Sequence, residues 1–478
     1  MPLISVVYLF FLILVTAGFY LLPSKFRNVW LLIASYFFYF TWQPAFLIVL
    51  LGVTFLAYHF GQRVALAPAG VRKKWLGGSV VILLLPLLFF KYFNFLNENI
   101  VASLGVFSEE ALPFQRYLVP LGISFFTFQA ISYVVDVYRG YLKPEDRIEK
   151  FAVYIAFFPT LLAGPIERAK SILGQLSDPV SFEYSNIRAG MQLILWGAFK
   201  KVVIADRLAE IINAAYARPE DFPGILIYLV IVLSGFQIFC DFSGYSDMAV
   251  GAARLLGIRL TKNFHDRVYA STSREVFWQG WHISLTSWMR DYVFFPLSKG
   301  VRSHARLYLN LMIVYLLVGV WHGPTWGFMV WGLLNGAWLV MENATKQWRG
   351  DLFQRVGILT DRAYFKFAAW LLVFHVGAFF GVFFRTSNPA EAFAFLANLL
   401  NENVHVIWRW ETYRLGLVIG FIIFMDLINQ RIPNGENFDS YIGKCPTWLR
   451  WCLYFVLAEM ILRYVGTSNE TLFNYFRY

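Results

Sequence analysis

His322 is the residue of this chain whose type and position most strongly suggest chemistry. It ends a long apolar run, residues 311–320, and is followed by Gly-Pro and a second apolar run. An ionisable group in such sequence is costly unless it faces a cavity or a partner. Histidine titrates near neutral pH, so this residue can take a proton from a hydroxyl and return it. The alternative is a histidine that reaches from a helix end to a membrane interface, and position alone does not decide between the two.

A second histidine, His282, lies in a segment that mixes tryptophan with polar residues. Trp278 and His282 are four residues apart and would share one face of a helix. Arg290 and Asp291 follow at the next polar step. These residues predict a pocket wall, and a histidine that only packs or donates a hydrogen bond is the alternative.

Two carboxylates, Asp241 and Asp247, flank Gly244 in an apolar neighbourhood. Paired carboxylates can bind a metal or act as acid and base. No histidine or cysteine stands at ligand spacing beside them, so we predict no metal site. They could instead cap helix N-termini around a break in the chain. The sequence also lacks a Gly-rich phosphate loop and a Gly-x-Ser-x-Gly nucleophile motif, so it gives no support for NTPase or hydrolase chemistry.

The composition shows what kind of fold must position these residues. Of 478 residues, 58% are hydrophobic, 19% are aromatic and only 15% are charged. Soluble domains have about 25% charged residues. These values exclude a soluble enzyme, a disordered chain and a secreted disulfide scaffold. They predict an all-α polytopic membrane protein, and the absence of a linker or repeat predicts one domain over residues 1–478.

Apolar segments of bilayer-spanning length recur along the whole chain. A span takes about 20 apolar residues, which gives about 11–13 membrane helices here. The predicted spans are residues 3–22, 28–60 (two helices, broken near 42–44), 77–96, 118–138, 150–163, 188–205, 223–242, 305–322, 324–342, 364–384, 412–428 and 449–465.

Three stretches do not fit simple spans: residues 159–167, 241–247 and 274–296. Each places Pro, Gly or charged side chains in apolar surroundings. Irregular polar backbone at membrane depth is tolerated only inside protein or along a wet cavity. We therefore predict re-entrant or pocket-lining segments that point to a shared site.

The net charge of +11 comes from Lys and Arg clustered between apolar segments. Such basic loops usually lie on the cytoplasmic side and contact anionic lipid headgroups. Membrane lipid is thus the expected partner of this charge, and nucleic-acid binding is not expected.

Several blocks of sequence, taken in order, resemble the membrane-bound O-acyltransferase superfamily, and within it the bacterial alginate O-acetyltransferase branch. The resemblance covers most of the chain. The blocks are residues 31–39, 120–128, 132–139, 158–165, 241–249, 281–285, 288–292 and 320–323.

The resemblance implies helices around a central funnel and tunnel, with His322 and His282 matching the two motif histidines of the family. It implies an enzyme of the bacterial cytoplasmic (inner) membrane. The enzyme would move acetyl from a cytoplasmic thioester, acetyl-CoA, toward a polysaccharide acceptor of the alginate, cellulose or peptidoglycan type. The implied partner is a periplasmic SGNH-type acetyltransferase, and no metal or prosthetic group is expected.

From these matches we expect His322 to act as general base and His282 to position or polarise the donor. Further residues are expected to contact the donor or organise the funnel: Trp281, Trp321, Arg290, Asp291, Asp241 and Asp247. The chain departs from the family pattern at two places. Gln279 and Gly280 replace two arginines before His282, and Asn335 stands where a further histidine is common.

The last six residues, 473–478, read Phe-Asn-Tyr-Phe-Arg-Tyr. They are similar to the end of a small acyl-relay peptide that works beside the lipoteichoic-acid D-alanylation member of the family. By that similarity Tyr478 would be a transient acyl acceptor, since covalent relay divides one difficult transfer into two steps. An interfacial aromatic anchor is the alternative.

Two other classes of function remain open from the sequence. A transporter or channel without chemistry has the same composition, although no inverted repeat is found. An acyltransferase that acts on a lipid or a protein would need a long apolar tunnel, and the sequence does not give tunnel depth.

Overall fold

The computed structural model describes residues 1–104, 118–162, 164–178, 180–265, 268–402 and 445–465. The described residues form α-helices joined by loops, and no β-strand occurs among them. The α-helices are α1 (Val6–Leu21), α2 (Ser24–Phe40), α3 (Leu47–Leu66), α4 (Ala69–Leu87), α5 (Phe93–Leu104), α6 (Ile123–Arg139), α7 (Ile148–Ala156), α8 (Phe158–Leu161), α9 (Ala169–Gln175), α10 (Tyr184–Phe199), α11 (Asp206–Ala217), α12 (Gly224–Leu255), α13 (Arg274–Gly280), α14 (Ile283–Met289), α15 (Phe295–Ser298), α16 (His304–His322), α17 (Trp326–Ala344), α18 (Lys346–Val356), α19 (Ala363–Arg385), α20 (Pro389–Ala397) and α21 (Thr447–Tyr464).

Short helical turns of other types lie between some of these helices. The π-helical turns are Leu88–Tyr92, Lys200–Ala205 and Arg290–Phe294. The 3₁₀ turns are Pro44–Phe46, Pro219–Asp221, Val268–Ala270 and Asn398–Leu400. π-helical turns occur frequently at functional sites.

Five helical segments in the described part of the chain are long and apolar enough to cross a membrane. They are Pro44–Leu66, Ala69–Asn99, Gly224–Leu255, His304–His322 and Ala363–Arg385. The chain is an all-α polytopic membrane protein, as its composition predicts. The count of about 11–13 membrane helices stays a prediction, and the predicted span at residues 412–428 lies outside the described residues.

The predicted interruptions of the apolar sequence are confirmed at three places. α2 ends at Phe40 and α3 begins at Leu47, so the break near residues 42–44 is present. Within residues 159–167, α8 ends at Leu161, and residues 164–167 are not helical. Between residues 274 and 296 the backbone breaks into α13, α14 and a π-helical turn.

The predicted break at residues 241–247 is wrong, because α12 runs through it as one helix. Two contacts explain the continuity. Lys201 Nζ lies 2.7 Å from Asp241 Oδ1, so this carboxylate has a partner without leaving the helix. Gly244 lets α12 approach closely, since a Cβ there would lie 2.7 Å from the carbonyl oxygen of Gly197. Asp241 is therefore mid-helix and does not cap a helix N-terminus.

The chain separates into two compact units. Unit 1 comprises Met1–Ile194 and Tyr245–Thr261, and unit 2 comprises Leu195–Gly244 and Lys262–Tyr478. The prediction of one domain over residues 1–478, with a funnel and tunnel, stays a prediction.

Unit 1 is built on packing among its early helices. α3 and α4 pack against α6, and α2 packs against α1, α7 and α8. Buried aromatic side chains fill the contacts: Phe11 stacks on Phe38 with ring centroids 5.8 Å apart and meets Phe158 edge-to-face at 5.2 Å. Such close aromatic packing gives this unit its core.

Unit 2 is organised by α17, which packs against α16, α19, α13 and α20. The α16–α17 contact is a backbone contact. A Cβ on Gly319 would lie 2.3 Å from the carbonyl oxygen of Phe328, and a Cβ on Gly332 would lie 2.4 Å from that of Tyr315. Small residues allow membrane helices to approach in this way. The two glycines therefore fix the position of α16, whose last residue is His322.

Candidate active site

His322 is held at the corner between two helices of unit 2. α16 ends at His322, and α17 begins at Trp326 after Thr325, whose side chain accepts a hydrogen bond from the backbone N–H of Phe328. The histidine is only 5% exposed. Its ring centroid lies 5.1 Å from that of Trp331 and 5.0 Å from that of Phe384. This burial does not fit a side chain that reaches out to an interface.

A cavity of about 80 Å³ opens beside His322 within unit 2. Its walls come from α12, α13, α16, α17, α19, the segment before α13 and Trp281 after it, and most of the lining residues are apolar or aromatic. The wall includes His322, Arg274, Trp281, Tyr269, Trp331 and Gly377. A small apolar chamber with one histidine and one arginine in its wall has the character of a site for a compact, weakly polar group.

His282 is fully buried and has a strained backbone. Its φ is 45°, and it is the one non-glycine residue with positive φ in the described ranges. α13 ends at Gly280, so the prediction that Trp278 and His282 share one helix face is wrong. A non-glycine residue in the left-handed region needs surroundings that hold it there, and such residues cluster at functional sites.

The hydrogen bonds of His282 define which ring nitrogen carries the proton. Nδ1 lies 3.2 Å from Asn263 Oδ1, and the same oxygen accepts from the backbone N–H and the hydroxyl of Ser284. Because these donors require an oxygen there, Nδ1 is assigned as the donor and Nε2 as the acceptor. Within the residues the structure describes, Nε2 is buried and has no hydrogen-bond partner.

The two predicted tryptophans, Trp281 and Trp321, lie in different positions relative to the cavity and the histidines. Trp281 lines the cavity, as His322 does. Trp321 is not among the lining residues, but its ring centroid lies 5.5 Å from that of His282 and 5.1 Å from that of His322. His282 is likewise outside the cavity wall, and Trp321 lies between its ring and that of His322.

The predicted acidic residues lie apart from the cavity. Asp241 belongs to a buried ion cluster in unit 2, in which Lys201 Nζ lies 2.7 Å from Asp241 Oδ1 and 2.7 Å from Asp206 Oδ1. Asp247 lies further along α12, in the part of the helix that belongs to unit 1, and is partly exposed. The structure does not bring either residue into the cavity wall.

Arg290 and Asp291 form an exposed pair. Arg290 Nε donates to Asp291 Oδ1 at 2.9 Å, with side chains 58% and 31% exposed. They lie at the π-helical turn after α14 and not among the cavity-lining residues. Tyr478, the predicted acyl acceptor, lies outside the described residues.

Arg274, in the cavity wall, was not among the site residues predicted from the sequence. Arg274 is the first residue of α13 and is 5% exposed. Its charge inside a tryptophan-rich apolar segment was a signal of the same kind that singled out His322. In the described ranges, no group of three or more His, Cys, Asp or Glu side chains is arranged to hold a metal ion.

A comparison with models of protein families identifies the family of this chain. The model of the membrane-bound O-acyltransferase family matches residues 147–385, which is half of the chain and includes both His282 and His322. The chain belongs to the membrane-bound O-acyltransferase family. It is an O-acyltransferase, and the predicted resemblance is confirmed.

The chain is also similar to individual proteins that are named as O-acetylases or O-acetyltransferases. A probable alginate O-acetylase of Azotobacter vinelandii is 38% identical over 347 residues, which are 72% of this chain and 68% of that protein. A probable alginate O-acetylase of Pseudomonas aeruginosa is 35% identical over 433 residues, covering 89% and 80%. A peptidoglycan O-acetyltransferase of Helicobacter pylori is 29% identical over 521 residues, covering 96% and 94%.

Proposed function

We propose that this O-acyltransferase moves acetyl groups from acetyl-CoA, on the cytoplasmic side of the bacterial inner membrane, toward a cell-envelope polysaccharide. Relatives named for alginate and peptidoglycan O-acetylation support the polysaccharide acceptor. The observation that carries the proposal is the buried His322 in the wall of a small cavity.

The size of the cavity supports a short acyl group. An engineered apolar cavity of about 150 Å³ holds benzene. The volume beside His322 is about 80 Å³, which suits an acyl group of two or three carbons. A fatty-acyl chain would need a far longer apolar channel. The cavity volume therefore favours acetyl over the long acyl groups carried by lipid-modifying or protein-modifying acyltransferases.

His322 acts in this proposal as general base. It takes the proton of the acceptor hydroxyl as the hydroxyl oxygen attacks the carbonyl carbon of the thioester. The tetrahedral intermediate then collapses, the C–S bond breaks, and the thiolate leaves with the proton that His322 returns. The buried ring surroundings of His322 exclude water, which would otherwise hydrolyse the thioester.

His282 acts as a positioning residue. Its contact with Trp321 couples the strained α13–α14 corner to His322, and Trp281 next to it forms part of the chamber wall. The exposed Arg290–Asp291 pair is accessible to a soluble, charged donor such as acetyl-CoA. Asp241 serves the site indirectly, since its ion pair with Lys201 holds α12 in place.

Export of the acetyl group is proposed to use the C-terminal residues 473–478. The phenol oxygen of Tyr478 would accept acetyl from the thioester, and a periplasmic SGNH-type acetyltransferase would complete transfer to the polymer. The support for this step is the sequence similarity of the tail to an acyl-relay peptide.

The test is covalent labelling of the full-length protein in detergent with radiolabelled acetyl-CoA. We expect label on the wild-type protein, mapped to the last peptide, and loss of label in both His322→Ala and Tyr478→Phe. Loss in His322→Ala alone would keep the acyltransferase and remove the Tyr478 relay. If neither label nor CoA release is seen with the periplasmic partner and polymer added, the proposed function is wrong.

A further inference from the structure

Arg274 is a buried cation in the same cavity wall as His322. It is 5% exposed, and it begins α13, the helix that leads to Trp281 and His282. Arginine is almost never buried unless it is paired. The groups that contact its guanidinium therefore indicate the role of this residue.

Those partners are all neutral. Nε donates to Asn335 Oδ1 at 2.9 Å, and Nη2 donates to the same oxygen. The guanidinium carbon lies 4.1 Å from the ring centroid of Phe277 and 5.6 Å from that of Trp278. These contacts orient the side chain, and within the described ranges none of them brings a negative charge to the guanidinium.

A neighbouring acidic residue, Glu342, makes other hydrogen bonds. The carboxylate of Glu342 accepts hydrogen bonds from the backbone N–H groups of Arg274 and Glu275, at 3.1–3.2 Å, and so caps the start of α13. Among the described residues, no carboxylate pairs with the guanidinium itself. A buried charge without an opposite charge is expensive, so the arrangement suits a negative charge that forms inside the cavity.

One nitrogen of the guanidinium, Nη1, can donate a hydrogen bond to such a negative charge. Asn335 occupies Nε and Nη2, whereas Nη1 faces Gly377 on α19, another residue of the cavity wall. A Cβ at Gly377 would lie 2.8 Å from Nη1. The missing side chain at Gly377 thus gives Nη1 the space to donate into the chamber.

We propose that Arg274 binds the carbonyl oxygen of the acyl thioester and stabilises the oxyanion that forms on it. The proposal rests on the acyl-transfer function above. As the acceptor oxygen bonds to the carbonyl carbon, the C=O π electron pair moves onto the oxygen, and Nη1 donates to it. When that pair returns, the C–S bond breaks and the thiolate leaves with the proton held by His322. Arg274 neither gains nor loses a proton in the step.

The experiment measures whether the site recognises a carbonyl through Arg274. The full-length protein in detergent is titrated with two uncleavable analogues of acetyl-CoA: the 2-oxopropyl thioether of CoA, which keeps a carbonyl, and the propyl thioether, which has none. We expect the wild type to bind the ketone at least about tenfold more tightly, a typical value for one charge-assisted hydrogen bond. Arg274→Gln should bring this ratio close to one.

Acetyl transfer in inverted membrane vesicles gives the kinetic side of the test. Removal of one oxyanion donor usually lowers kcat about 10²–10³-fold. We expect that loss for Arg274→Gln, together with a rise in KM for acetyl-CoA of no more than about tenfold, because the hydrogen bond to the ground-state carbonyl is lost while the rest of the donor still binds. A residue with a purely structural role would lower thermal stability without removing the ketone preference.

Matched variants separate the charge from the fold. Gly377→Ala keeps the guanidinium but fills the space beside Nη1, so it should also reduce the ketone preference. Arg274→Lys keeps the charge without the planar fork and should be intermediate. Arg355→Gln, on the exposed face of α18, should leave the ratio and the transfer rate unchanged.

The outcomes distinguish this inference from the proposed function. If folded Arg274→Gln keeps the ketone preference while His322→Ala abolishes transfer, the role of Arg274 is wrong and the acyltransferase stands. If Arg274→Gln does not fold, retention of the preference in both Gly377→Ala and Arg274→Lys overturns the inference. If the wild type neither transfers acetyl nor binds the ketone, the proposed function fails and this inference fails with it.

Discussion

Two buried cations of unit 2 meet opposite surroundings. Lys201 has two carboxylate oxygens at 2.7 Å, one from Asp206 and one from Asp241. Arg274 is buried too, but its guanidinium contacts an amide oxygen and aromatic rings. Lys201 lies against the close contact between α12 and the π-helical turn Lys200–Ala205, whereas Arg274 lies in the wall of a cavity.

The difference separates a charge that serves the fold from a charge that serves a ligand. When carboxylates of the protein neutralise a buried cation, the cation does not attract a further anion, and the ion pairs stabilise the packing around it. A cation that is fixed in place by neutral partners keeps its attraction for anions. Burial alone therefore does not identify a functional residue, and the charge of the partners must be examined too.

The largest expected effect is that of replacing His322, which lies in the same cavity wall as Arg274. We expect His322→Ala to lower acetyl transfer about 10²–10⁴-fold, because the general base is lost. Transfer from radiolabelled acetyl-CoA in inverted vesicles measures this loss, and size-exclusion chromatography checks the fold. Near-normal transfer in a folded variant would mean that the cavity does not contain the reacting atoms.

The stability of the ion cluster gives the second prediction. Lys201→Met leaves two buried carboxylates without their cation, which costs about 3–5 kcal/mol. Arg274→Met leaves only the Asn335 oxygen unpaired, which costs about 1–3 kcal/mol. Thermal unfolding in detergent should rank the variants in that order, with exposed Lys346→Met as the unchanged control. The reverse order would contradict the distinction between the two cations.

A smaller effect is expected when the support of Arg274 is removed. Asn335→Leu takes away the oxygen that fixes Nε and Nη2, so the guanidinium should sample other positions. We expect transfer to fall about tenfold, which corresponds to about 1.4 kcal/mol in the barrier. Asn335→Asp provides the contrast: a full carboxylate would pair with Arg274, and the ketone preference should fall although the guanidinium stays fixed.

The smallest effect is expected at the exposed Arg290–Asp291 pair. Exposed ion pairs are worth little, so Arg290→Gln should not change stability. If the pair meets the charged part of acetyl-CoA, KM for the donor should rise by about two- to threefold at low salt and less at high salt. A fall in kcat with unchanged KM would contradict a role in donor binding.

Much of the fold could be predicted from the sequence, because the residues that interrupt a helix are neighbours in sequence. The Trp42-Gln43-Pro44 break and the irregular chain after α8 arise from residues that are neighbours in sequence. The missed continuity of α12 has a different cause. Asp241 is compensated by Lys201, 40 residues earlier in the chain, and no local pattern reveals that pairing.

The same reasoning explains what could be predicted of the candidate site. His322 stands out because its neighbours in sequence are apolar. Arg274 depends on Asn335, which lies 61 residues away, and on Gly377, more than 100 residues away, so its environment exists only in the folded chain. The strained φ of His282 was also invisible, since an unbroken helix through residues 278–282 fitted the side-chain pattern equally well.

The glycine contact between α16 and α17 also has a mechanical consequence. Since Gly319 and Gly332 bring the two backbones together, neither helix can slide along the other without a collision of main-chain atoms. His322 and Trp331 should therefore move as one rigid body. Any widening of the chamber during turnover would then fall to α19, whose Gly377 and Gly381 face the cavity and carry no side chain to interlock with a neighbour.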